Sequence, residues 1–150
     1  MTEVSFYHLT RSTLEQTLPR LLEKALQGGA RCVVMVGVHE RVEPLSAHLW
    51  TYDPNAFLPH GTVRDGNAAR QPVWLTDTDE NPNNATMLFL TDGAQSEKMA
   101  TYERCFELFD GRDESAVAKA RQQWKAYRDA GHNVSYWQQT DRGGWEKKAG

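Results

Sequence analysis

The chain has 150 residues, is 39% hydrophobic and 25% charged, and carries a formal net charge of −3. That length supports one domain with a real core, and the composition excludes a disordered or collagen-like chain. Two cysteines cannot by themselves make a disulfide framework or a zinc site, and the acidic balance argues against a broad duplex-DNA face, which needs many clustered Lys and Arg.

The first predicted element is a strand over residues 3–9, rich in β-branched and aromatic side chains. Ser12 and Glu15 have the spacing of a capping box and predict the start of a helix. Leu14, Leu18, Leu21, Leu22 and Ala25 then recur at helical spacing. Pro19 is expected to shorten or bend this helix, and Gly28-Gly29 to end it. Residues 31–36 form a continuous apolar run, the pattern of a strand buried on both faces in the centre of a parallel sheet. A second helix is predicted from Arg41 to about Trp50, with Pro44 in its first turn. A long polar loop over 51–70 leads to a short strand at 73–75, an acidic turn-rich loop over 76–84 and a buried strand at 86–90. Residues 105–109 alternate like a strand with one wet face. After a turn at Asp110-Gly111, residues 113 to about 130 contain no Gly or Pro and make the clearest helix. A short strand is predicted at 133–137, and residues 138–150 read as a flexible tail after a single domain over 1–137. Strands alternating with helices imply an α/β sheet covered on both faces, with ligands at the carboxyl ends of its strands.

The chemistry usual for such a sheet is missing. A nucleotide site needs glycines at the first strand-to-helix turn, where a bare backbone approaches phosphate. Here that turn is His8-Leu9-Thr10-Arg11-Ser12. His39-Glu40 has no second His at metalloprotease spacing, and His48 and His60 have no zinc-finger partners, so they read as solvent-exposed or capping side chains. No G-x-S-x-G elbow occurs. Cys32 and Cys105 fall in strands and read as packing residues. No metal and no cofactor is expected. No apolar run reaches the ~18 residues that span a bilayer. Met1 leads into a strand-like segment rather than a basic patch and a long apolar stretch, so the expected compartment is the cytoplasm, without a membrane partner.

Positive charge gathers on the late helix. Ala116, Ala120, Gln123, Tyr127 and Ala130 share one stripe, expected to face the sheet. Val117, Arg121, Trp124 and Arg128 share the neighbouring stripe, with Lys125 at its border. A second cluster, 49–60, places Trp50 and Phe57 around a proline-bounded loop, where large rings either pack down or form a binding surface. Rings beside Arg and Lys suit a peptide that ends in an aromatic residue and a free carboxylate.

These residues resemble the chi subunit of bacterial DNA polymerase III holoenzyme, an accessory clamp-loader protein. The resemblance rests on Leu49-Trp50 followed by Phe57-Leu58-Pro59-His60. It rests equally on Arg121, Trp124, Lys125, Tyr127, Arg128 and Gly131 in the late helix, and on the opening pair Phe6-Tyr7. It runs through most of residues 1–137. It implies a three-layer Rossmann-like, mostly parallel sheet with helices on both faces, and no enzymatic activity. It also implies binding to the acidic C-terminal tail of single-stranded DNA-binding protein, whose last residue is a Phe, so that the replicase is tethered to coated template and meets DNA only indirectly. By the same match Trp50, Phe57 and Trp124 would wall one pocket for the terminal ring. Arg121 would hold the terminal carboxylate, with Lys125 and Arg128 near the upstream acids. Trp124 stands where a Tyr is common in the family. In many bacteria the family also binds a small psi subunit that links it to the clamp loader, and no motif in this chain marks that surface. The alternative is an orphan Rossmann-type nucleotide-binding enzyme; a third reading is direct binding of single-stranded DNA by the Trp/Arg helix.

Overall fold

A computed structural model describes residues 2–149. Among them the elements run β1 (Glu3–Leu9), α1 (Leu14–Gln27), β2 (Cys32–Val36), α2 (Val42–Thr51), β3 (Val73–Thr76), β4 (Met87–Thr91), β5 (Arg104–Asp110), α3 (Glu114–Asp129), β6 (Asn133–Gln139) and β7 (Trp145–Ala149). The strands form one sheet in the order β3-β2-β4-β5-β1-β6-β7. Every neighbouring pair is parallel except β6 with β7.

Strand periodicity divides the core into two layers. Along β2, Cys32, Val34 and Val36 point to one face and Val33 and Met35 to the other. The first face is covered by α1 and α2 through Leu18, Leu22, Leu45 and Leu49. The second is covered in part by α3 through Ala120, against Phe6, Leu90 and Cys105. The α/β sheet with helices on both faces is therefore the observed architecture, and β2 is buried throughout as its apolar run predicts.

Four expectations change. The capping box of α1 is formed by Thr13 and Gln16, one residue later than expected, because Ser12 is taken by the end of β6. Gln139 Nε2 donates to Ser12 Oγ, and Gln139 Oε1 accepts from the Arg11 and Ser12 N–H groups. Pro19 does not shorten α1. The backbone acceptor it leaves free four residues back is satisfied from outside, where His48 Nε2 of α2 donates to the Glu15 carbonyl at 2.6 Å. The alternation at 105–109 does not mark a wet face: Cys105, Phe106, Glu107 and Leu108 are all buried, since β5 lies between β4 and β1 with helices on either side. Finally, the flexible tail is a hairpin. Gly143 at φ 84° makes the turn, the Thr140 N–H donates to the Gly144 carbonyl, and Trp145 lies edge-on to Tyr7 with ring centroids 4.9 Å apart. The two glycines that suggested fraying are turn residues. Gly150 lies outside the described residues.

Candidate functional site

The late helix begins at Asp113, whose carboxylate accepts from the Ser115 and Ala116 N–H groups. One turn after another then meets the sheet. Ala120 is buried, and Trp124 and Tyr127 lean on Phe6 with centroids 5.8 and 5.9 Å away. Trp124 also meets the edge of Tyr136 at 5.8 Å. Its ring therefore belongs to the sheet-facing side, half-buried, and forms a wall rather than a free blade.

Beside it lies an aromatic floor contributed by three strands. His8, Phe109 and Tyr136 all project to the α3 face. The Tyr136 ring lies 6.0 Å from Phe109, and its hydroxyl shares a 2.8 Å hydrogen bond with His8 Nδ1. Burial pushes the Tyr136 phenol up, and the Arg121 charge opposes that shift. Burial also lowers His8, and Arg121 acts in the same direction. The guanidinium thus stands close enough to act on both rings. Arg121, Lys125 and Arg128 are exposed, and among the described residues none of them has an ion-pair partner. Three unengaged cations along one helix edge, next to an aromatic floor, can hold a chain end that carries a ring and negative charge.

Trp50 and Phe57 lie elsewhere. They form a separate pair, with centroids 6.0 Å apart, at the end of α2 and in the following loop. Trp50 is 45% exposed and Phe57 77%. The Trp50 ring lies 4.0 Å from that of His60. His60 is not solvent-exposed: it is buried, and its two nitrogens meet the Leu58 and Ser46 carbonyls at 2.7 and 3.0 Å. The neighbouring Leu49 and Leu58 belong to the core layer under α1 and α2, whereas Trp124 packs on the opposite layer. The sheet lies between the two groups. A single pocket walled by Trp50, Phe57 and Trp124 is therefore not formed.

Sequence reasoning missed His8, Phe109 and Tyr136. Their signal was strand parity: each lies an even number of residues from a position facing α3. The cysteines are inert packing groups, as expected, with burial pushing the Cys32 thiol up to about 12.

The α/β domain thus carries free cations beside a ring-lined floor on one face and a bare aromatic pair on the other, two surfaces of a chemistry that suits protein partners. Residues 1–135 match the family described as "DNA polymerase III chi subunit, HolC", and the chain belongs to that family. It is 33% identical over 110 residues to the "Probable DNA polymerase III subunit chi" of Rickettsia prowazekii (strain Madrid E), covering 71% of this chain and 67% of that relative. It is a non-catalytic accessory subunit of DNA polymerase III, which sets aside the nucleotide-enzyme alternative. The hairpin strand β7 falls beyond the matched residues. Among the described residues no helix is long and apolar enough to cross a membrane.

Proposed function

We propose that the α3 surface binds the acidic C-terminal tail of single-stranded DNA-binding protein and so tethers the polymerase to coated template. The observation that carries this reading is the pairing of an unengaged Arg121 with the half-buried rings of Trp124 and Tyr136. The terminal carboxylate pairs with Arg121, the terminal Phe ring lies against the aromatic floor, and the upstream acids run along Lys125 and Arg128. Trp50 and Phe57 take no part in that contact. Exposed large rings on the opposite face suit a second partner within the holoenzyme, such as psi, and an adaptor needs two separate faces to hold two partners at once.

Calorimetry with a tail peptide tests the first contact. Arg121→Ala weakens binding by about 2–4 kcal/mol, the cost of leaving a carboxylate unpaired. A peptide without its terminal Phe binds poorly. Trp50→Ala leaves peptide affinity unchanged but loses capture of the holoenzyme partner in a pull-down. Equal affinity of wild type and Arg121→Ala removes the proposed site.

A further inference from the structure

On the side of the sheet that faces α1, the helices stop short of one end. α1 packs mainly on β2 and β5 and α2 on β3, while β6 and β7 run on beyond them. The open face carries a groove of about 200 Å³ lined from β5, β1, β6 and β7.

Register and side-chain size make the groove. Phe106, Ser5 and Ser135 lie side by side on three adjacent parallel strands, so two small side chains form its floor. The large residues two positions away fold inward over that row from opposite ends. Trp137 Nε1 donates to Ser135 Oγ at 3.1 Å, and the Arg104 guanidinium lies 4.6 Å above the Phe106 ring. Burial raises the Tyr7 phenol, and the Arg104 charge opposes that shift, so the charge acts across the floor. A guanidinium and an indole thus flank Ser5, one strand to each side, with strands about 4.8 Å apart. Lys147 of β7 closes the indole side, its Nζ 5.9 Å from the Trp137 ring centre.

The groups that meet here are donors with nothing to donate to. Arg104 has no ion-pair partner among the described residues, and neither has Lys147. Arg104 Nε is buried and unpartnered, but the side chain is only half-buried and lines the groove, so its outer Nη groups stay within reach of a ligand. The serines hold one more hydrogen. An indole N–H can only donate, so Ser135 accepts it. Whichever hydroxyl donates in the 3.3 Å contact between Ser135 and Ser5, the other keeps its hydrogen, and Ser5 is 3% exposed. Buried donors left unpaired are costly, and an occupant that accepts from them removes that cost. Glu3 is the one acid in the lining, against Arg104 and Lys147. The surplus of a single positive charge matches a monoanion better than a dianionic phosphate.

We propose that this groove binds a small polar monocarboxylate, its two oxygens accepting from the Arg104 Nη groups, the Lys147 ammonium and the free serine hydroxyl. The polar body of the ligand lies beside the Asn133 side chain, which lines the same groove. Trp137 and Lys147 fall beyond the family match over residues 1–135. The inference is independent of the tail-binding surface, which lies on the other side of the sheet.

The test is a titration of the full chain with lactate, followed by NMR of the backbone amides and the indole N–H groups. Lactamide serves as the neutral control, ethanolamine as the cationic one and inorganic phosphate as the dianion. Lactate shifts the Trp137 indole N–H and the amides of Ser5 and Ser135. It loses about tenfold of its affinity in Arg104→Gln and about threefold in Lys147→Gln, and it binds Arg121→Ala as it binds the wild type. If Arg104→Gln does not fold, Lys147→Gln decides, because that side chain is exposed. An unmoved Trp137 indole, equal binding of lactamide or ethanolamine, or tighter binding of phosphate overturns the proposal. So does a folded Arg104→Gln or Lys147→Gln that binds as the wild type does, or a loss of lactate binding in Arg121→Ala.

Discussion

Glu107 sets how the stability of the fold depends on pH. Its carboxyl is 7% exposed in the middle of the sheet, and burial raises it from the ordinary 4.5 to about 8. The protonated form is thus the one the fold favours. Below pH ~4.5 the folded and unfolded chains both hold the proton, and folding is not penalised. As pH rises above that value the unfolded chain releases its proton while the folded one retains it, at a cost of about 1.4 kcal/mol of stability per pH unit. The loss reaches roughly 3 kcal/mol at pH 7 and saturates near 5 kcal/mol once the pH passes ~8 and the folded carboxyl ionises too. Glu107→Gln keeps the shape of the side chain and cannot ionise. Urea denaturation of wild type and variant across pH 4 to 9 isolates this group, because titrations common to both chains cancel in the difference. The stability of the variant relative to wild type should be flat in acid, climb through the neutral range and level off above pH ~8. A difference that does not change with pH would refute the burial argument.

Other outcomes follow from the same geometry. Gly111→Ala places a Cβ 2.0 Å from the His8 ring and 2.7 Å from the Leu9 carbonyl; the overpacking should cost roughly 1–3 kcal/mol and disturb the His8–Tyr136 bond, read by thermal denaturation and by the ring resonances. Removal of residues 140–150 strips Trp145 from Tyr7 and bares the edge of β6. Calorimetric melting should show a loss of about 1–2 kcal/mol, with tail-peptide affinity falling far less than in Arg121→Ala, because of His8, Phe109 and Tyr136 only Tyr136 pairs with the removed strand, opposite Ala149. Raising salt should weaken tail binding, since Lys125 and Arg128 are exposed; a flat salt series would leave only the apolar contact. An oligonucleotide titrated without its binding protein should show no binding to the α3 cations, and tight binding would favour the direct single-stranded DNA reading.

The order of strands and helices, the burial of β2 on both faces and the grouping of Arg121, Trp124 and Arg128 on one helix were legible in the residues alone, whereas β2 lies next to the edge strand β3 rather than at the centre of the sheet. Each depends on a periodicity that repeats within a few residues. The same locality explains what could not be read. Leu49-Trp50 and the Arg121–Arg128 stretch each carry a pattern of rings or cations, but a helix pattern does not say which side of the sheet its helix will cover. That choice is made by the crossovers: α1 and α2 lie on one layer and α3 on the other, so rings that look like parts of one pocket end up with a β-sheet between them. Long-range contacts also settled smaller matters. Gln139 claims Ser12 from more than a hundred residues away and moves the helix cap to Thr13, and β6 gives the last strand an edge to pair with. Tyr136 and Phe109 join Trp124 only because β6 and β5 flank β1 in register. Local sequence determines which side chains share a face; only the folded chain determines which faces meet, because that is decided by burial summed over elements far apart in sequence.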